Sequence, residues 1–222
     1  MTLIYLVRHG ETDWNRQRRI QGSTDIPLND TGREQAERTG RLLARRSWDG
    51  IASSPLSRAF ETGAIIARSI GADPAQIEVV DEFVERRYGA AEGLDDRELA
   101  RLFPDDTTVP GRETREEVSA RVIGSIISLA ERHSATIGRP ANLIVTTHGG
   151  VIRAVLNHVA PDLRHHRGVP ITNGSVHSFR HVDDGLRLVL FDDPIDRESI
   201  AEGDGELEEQ NAVEHREAEA PA

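Results

Sequence analysis

The stretch "LIYLVRHGET" (residues 3–12) decides the fold: an apolar run, Leu3 to Val7, ends abruptly in Arg8, His9 and Gly10. Far along the chain "LIVTTHGG" (143–150) repeats the design, a largely β-branched run that stops at a histidine followed by glycine. Short apolar runs bounded by turn residues read as buried strands, so both histidines are expected at strand carboxyl ends. In an open α/β sheet that is where ligands bind, since loops there lead into helices.

Between these two runs, strands alternate with helices. "DTGREQAERTGRLLARR" (30–46) reads as a helix started near Asp30, with Ala36, Leu42 and Leu43 on its inner side. A short strand "GIASSP" (50–55) follows, then helix "LSRAFETGAIIARSI" (56–70) with Ala59, Ile65, Ile66 and Ile70 at helical spacing. "IEVV" (77–80) is a strand, "DDRELARLF" (95–103) a short helix, and 114–133 a long one with Val118, Val122, Ile126 and Leu129 on one face. Strand "NLIVTTH" (142–148) leads directly into helix 150–159, and alternation around Asp184-Gly185 marks a closing hairpin. This order implies an α/β three-layer sandwich with a mostly parallel central sheet. One domain over residues 1–195 accounts for the elements.

Composition excludes several chemistries. The chain has 222 residues and no cysteine, which removes disulfide frameworks, thiolate metal cages and cysteine nucleophiles. It also has no lysine, so all 27 basic residues are arginine, and a P-loop or Schiff-base lysine is impossible. The net charge of −11 argues against nucleic acid as the main partner. Ten of the 38 acids but only two arginines lie in 196–222, so that tail carries −8 and residues 1–195 only −3. Rich in Glu and Ala, the tail is expected to be disordered. No run is long enough for a membrane span or a secretory h-region, and a soluble, cytoplasmic protein is expected.

"SSPLSRA" (53–59) delivers Ser57 and Arg58 at a third strand-to-helix junction. If the three strands are neighbours, Arg8, His9, Arg58 and His148 converge beside helix N-termini, and two guanidinium forks around a small tetrahedral dianion describe a phosphate site.

"RHGET" (8–12), "SSPLSRA" (53–59), "ERRYGAAEG" (85–93) and "THGG" (147–150), in that order, resemble the histidine phosphatase superfamily, the phosphoglycerate mutase-like fold. The resemblance covers roughly residues 1–195. It implies that His9 is the nucleophile forming a phosphohistidine, its other ring nitrogen held by a backbone carbonyl. By the same resemblance Arg8, Arg58 and His148 hold the phosphoryl oxygens, Asn15 is a further phosphate donor, and Glu85 is the general acid. Gln21, Gly22, Tyr88 and Gly149 match substrate-binding positions, Tyr88 being equally readable as core. No metal or other cofactor is implied, because the arginines supply the positive charge. The implied partner is a small phosphomonoester, with a homodimer left open.

Blander readings remain beside these. His9 and His148 could be metal ligands with Glu85, although cationic neighbours would repel a metal. Glu85 could belong to a solvated acidic patch with Asp81 and Glu82. His158, His165, His166, His177 and His181 have no motif context and read as structural or surface residues, and Glu92 and Gly93 read as turn residues. Three functions compete: a metal-independent phosphatase, a bisphosphoglycerate-dependent phosphoglycerate mutase, and a non-catalytic binding member. The last fits poorly because both histidines and the acid are retained. The mutases carry an insertion with a lysine and an arginine pair that grip the substrate carboxylate. Here Asp96 lies near that lysine's position, and between Gly93 and Val118 only Arg97, Arg101, Arg112 and Arg115 occur. That favours the phosphatase, whereas "ERRYG" is closer to the mutase wording.

Overall fold

A computed structural model describes residues 1–104, 107–161, 169–183, 185–193 and 195. His165, His166, the Asp184 half of the hairpin turn and the acidic tail lie outside the described residues. Strands β1 (Leu3–Arg8), β2 (Gly50–Ser53), β3 (Glu78–Val79), β4 (Asn142–Thr147), β5 (Val176–Val182) and β6 (Gly185–Leu190) form one sheet of order β3-β2-β4-β1-β5-β6. The first four are parallel; β5 runs antiparallel beside β1, and β6 pairs antiparallel with β5 at the sheet edge to complete the closing hairpin. This is the α/β sandwich expected from the strand–helix alternation.

The period-2 alternation of β1 and β4 builds both sides of the core. Ile4, Leu6, Leu143 and Val145 face one cluster, whereas Tyr5, Val7 and Ile144 face the other. Helices α2 (Asp30–Leu43) and α3 (Ser57–Ser69) cover the second face. The first is covered by α5 (Arg115–Ile137) and α6 (Gly149–Val159), with Val118, Val122, Ile126 and Leu129 of α5 all buried. Each such side chain contributes about 1.5–3 kcal/mol of gross hydrophobic transfer. Two short helices, α1 (Asp13–Arg16) and α4 (Asp96–Leu102), lie in the loops beyond the strand ends.

Local chemistry sets the helix starts. Asn29 accepts from the N–H of Gly32 to cap α2, and Thr114 forms a capping box with Glu117 at α5. The long helix continues four residues past the expected His133, because no breaker intervenes before the left-handed Gly138. The expected strand over 77–80 shrinks to Glu78–Val79, because the chain turns into a single 3-10 turn at Asp81–Phe83.

Candidate active site

The sheet order puts β2, β4 and β1 side by side and parallel, so their carboxyl ends open on one side. Arg8, His9, Ser54 and His148 emerge there, and Arg58 enters from the first turn of α3. A cavity of about 340 Å³ results, lined by Arg8, His9, Asn15, Gln21, Gly22, Arg58, Glu85, Tyr88 and Gly149 among others. Every expected site residue except His148 is in that lining. His148 lies directly behind, its ring 5.1 Å from the His9 ring and meeting it edge-on.

His9 is buried, and its Nδ1 lies 2.6 Å from its neighbour's carbonyl, that of Gly10. A carbonyl can only accept, so Nδ1 carries the proton and Nε2 presents its lone pair. Arg58 Nε donates to that lone pair across 3.3 Å. Burial, then the charges of Arg58 and Arg8, hold His9 well below the usual imidazole range, so the ring is neutral. His148 is held down likewise by burial and by Arg58; its Nε2 is 2.8 Å from Ser54 Oγ, and among the described residues its buried Nδ1 has no hydrogen-bond partner.

Arg58, fully buried, is anchored by the carbonyls of Thr24 at 2.9 Å and Gly22 at 2.8 Å. Arg8 Nη1 donates to the Ile171 carbonyl. Asn15 Oδ1 accepts from the Thr12 N–H at 3.2 Å and from Asn173 Nδ2 at 3.4 Å. These donors fix the amide orientation and leave its NH₂ to serve an incoming oxygen. Gln21 Oε1 accepts from the Thr12 hydroxyl at 2.9 Å.

Glu85 is buried, and burial raises its pKa against the opposing pull of the Arg86 and Gly150 N–H groups and of Arg58 and Arg8. Those N–H groups reach its two oxygens at 2.7 Å and 3.1 Å. It is therefore a site carboxyl, whereas Asp81 and Glu82 of the same stretch are exposed. The glycines after each histidine have packing reasons. A Cβ on Gly10 would sit 2.1 Å from the Gly32 carbonyl oxygen, and one on Gly150 would sit 2.5 Å from Glu85 Oε1.

Several residues went unread in the sequence. Asn173 Nδ2 donates to the His9 carbonyl at 2.9 Å, and nothing in its local sequence signals this. Glu92, read as a turn residue, accepts from the Thr24 hydroxyl at 2.9 Å, from the Tyr88 N–H at 3.0 Å and from the Ser23 N–H at 3.1 Å. It thereby ties the loop whose carbonyls hold Arg58 to the Tyr88 segment. Arg153 also lines the cavity, and its position one helical turn after Gly149 could have placed it on the same face of α6. His177 is a core residue, with Nδ1 accepting from the Asp192 N–H at 3.0 Å and Nε2 lying 3.0 Å from Ser175 Oγ. Among the described residues no cluster of three His, Asp or Glu could hold a metal ion, and no helix is long and apolar enough to cross a membrane.

Residues 4–194 match the histidine phosphatase superfamily (branch 1), and the chain belongs to that family. It is similar to the phosphatase PhoE of Bacillus subtilis, described as uncharacterized, at 40% identity over 72% of this chain and 78% of that one. It is 30% identical to 2,3-bisphosphoglycerate-dependent phosphoglycerate mutase 2 of Gloeobacter violaceus, over 73% of this chain and 78% of that protein. Among solved structures, mycobacterial glucosyl-3-phosphoglycerate phosphatase complexed with VO3 superposes with a TM-score of 0.72 at 26% identity, covering 86% of this chain and 99% of that one.

Proposed function

We propose that the protein is a metal-independent phosphomonoesterase acting on a small phosphorylated metabolite through a phosphohistidine at His9. The neutral His9 ring, its Nε2 lone pair set among guanidinium groups, carries this reading. In the first step Nε2 attacks phosphorus in line, the P–O ester bond breaks, and the leaving oxygen takes the Glu85 proton. Arg8, Arg58, Asn15 and His148 offset the charge gathering on the equatorial oxygens. In the second step water attacks phosphorus and yields its proton to Glu85; the P–N bond breaks and returns the lone pair to Nε2. The guanidinium groups supply the positive charge a metal would otherwise bring.

Brief incubation with a labelled phosphomonoester in excess EDTA is expected to leave acid-labile, alkali-stable label on the wild type and none on His9→Ala. Label on the variant, or turnover requiring a divalent ion, overturns the reading. A phosphoglycerate mutase is the second reading, favoured by "ERRYG" and by the Gloeobacter relative. Conversion of 3-phosphoglycerate to 2-phosphoglycerate faster than phosphate release, stimulated by the bisphosphate, would establish it instead. The short segment between Gly93 and Val118 supports the phosphatase, because retaining the phosphoryl group requires a lid that excludes water.

A further inference from the structure

Glu85 stands on irregular chain: residues 85–88 belong to no helix or strand. A general acid acts only when its proton lies within hydrogen-bond reach of the leaving oxygen, and a displacement on the order of 1 Å can cost about 10²-fold. Something other than the sheet must therefore hold this segment.

Two side chains from the start of α5 do so. Glu113 immediately precedes the capping Thr114, and Arg121 lies in the second turn of the helix. The Glu113 side chain, 2% exposed, takes a forked ion pair from Arg121, with Nε 2.8 Å from Oε1 and Nη2 3.1 Å from Oε2. Around that pair the acid-bearing segment is tied on both flanks. Arg121 donates from Nη1 to the Glu82 carbonyl and from Nη2 to the Glu85 carbonyl at 3.3 Å. On the other flank, Glu113 Oε2 accepts from the Arg87 N–H at 3.1 Å, and the Glu113 N–H donates to the Arg87 carbonyl at 2.9 Å. The Glu113 carbonyl also accepts from Arg86 Nε at 2.6 Å.

The helix behind this clamp is rooted in the core through Val118, Val122, Ile126 and Leu129. Burial pushes the Glu113 carboxyl up, but hydrogen bonds from Arg121 and the Arg87 N–H outweigh it and hold the group below its ordinary range, so the pair is charged at neutral pH. Neither side chain lines the cavity, so both reach the chemistry only through the backbone of 82–87.

We propose that Glu113 and Arg121 are positioning residues for the chemical step: their ion pair ties the backbone of 82–87 to α5 and thereby aims the Glu85 carboxyl at the leaving oxygen. The inference rests on the reading of Glu85 as the general acid and adds the device that sets its reach.

Benzyl phosphate and nitrophenyl phosphate present similar rings, but only the benzyl alkoxide is a leaving group poor enough to need the proton. The ratio of their kcat values therefore reads the placement of the acid, whereas a merely structural loss lowers both alike. Arg121→Met and Glu113→Gln are each expected to lower kcat on benzyl phosphate at least about tenfold more than on nitrophenyl phosphate. Arg121→Lys keeps a charge opposite Glu113 but cannot fork between the carboxylate and two carbonyls, so it should show the same bias in smaller measure. It decides the matter if the other two variants do not fold. In the Glu85→Gln background, where no proton is delivered, adding Arg121→Lys should change the ratio by less than about twofold. Equal losses on the two substrates in the folded variants, or a bias that persists undiminished in the Glu85→Gln background, overturns the inference and leaves the phosphatase reading intact. If Glu85→Gln alone shows no bias, or the wild type neither hydrolyses nitrophenyl phosphate nor takes label on His9, the underlying reading falls and the inference with it.

Discussion

The floor and the mouth of the cavity are built by different means. The floor is made of strand ends: the His9 N–H donates to the Thr147 carbonyl at 3.0 Å, Ser54 to the Thr146 carbonyl at 3.0 Å, and Arg8 to the Ser175 carbonyl at 3.1 Å. Sheet hydrogen bonding therefore fixes where Arg8, His9 and His148 stand before any ligand arrives. The mouth is assembled from the loop carrying Arg86 and Tyr88, the start of α5 and the first turns of α6. Its geometry depends on side-chain anchors such as Glu92 and Glu113 rather than on the sheet. Chemistry shared by a family belongs on the rigid part, and selection among substrates on the part that loop changes can alter.

The contrast can be broken first at the acid. Glu85→Gln keeps the side-chain shape but cannot give a proton, so kcat on an alkyl phosphate should fall about 10²–10⁴-fold. Nitrophenyl phosphate, whose leaving group needs little protonation, should lose less than about tenfold. An equal loss on both would remove Glu85 from the acid role. The pH profile sharpens the point. Burial raises the Glu85 pKa, so activity should fall as pH rises through that value and the acid is lost. Burial and the adjacent arginines lower the His9 pKa, so the limb for its protonation lies at low pH. The optimum therefore lies between these two limbs, and in Glu85→Gln the alkaline limb should disappear.

Arg58→Met is expected to lower kcat by about 10²–10³-fold, the usual cost of losing one donor to the transition-state oxygens. Arg58 also holds the Gly22 and Thr24 carbonyls, so the melting temperature should drop as well. A kcat loss no larger than that of a mouth variant would dissolve the distinction between floor and mouth.

The smallest effect lies away from both regions. Burial pushes the His177 pKa down to about 3, against an ordinary value of 6.5. Between those values the unfolded chain binds a proton that the folded one does not, so this contribution is present above about 6.5 and is lost as pH falls. Lowering pH from about 7.5 to about 5.5 should cost the wild type about 1.4 kcal/mol through this residue alone. His177→Gln, which cannot titrate, should lose that much less over the same interval. Urea unfolding at the two pH values measures it, and identical slopes would show that His177 does not carry the effect. His9 and His148, also held neutral by burial, add to the slope in both proteins.

The floor was legible in the sequence because its residues end periodic apolar runs. "LIYLV" and "LIVTT" announce buried strands, and whatever follows such a run in this fold class faces the ligand side. Arg58 was legible for the same reason, as the opening of a helix after a short strand. Glu92 is the turn residue its place before a glycine suggested, but only packing shows which N–H groups its carboxylate meets. Arg115 carried no signal: in sequence it is one of four arginines scattered over 93–118, two of which, Arg97 and Arg101, end up exposed on α4.

By itself, then, the sequence determined the order of strands and helices, the apolar faces they bury and the identity of the residues at the strand ends. All of these follow from periodicity and from chemistry between near neighbours along the chain. Only the tertiary structure decided that β4 lies between β2 and β1, so that Arg58 and His148 reach His9. It alone decided which nitrogen of His9 holds the proton, that Glu85 is desolvated, and that Arg86, Arg115 and Arg153 share one wall. Proximity and desolvation arise when distant segments pack together, and spacing along the chain does not encode them locally.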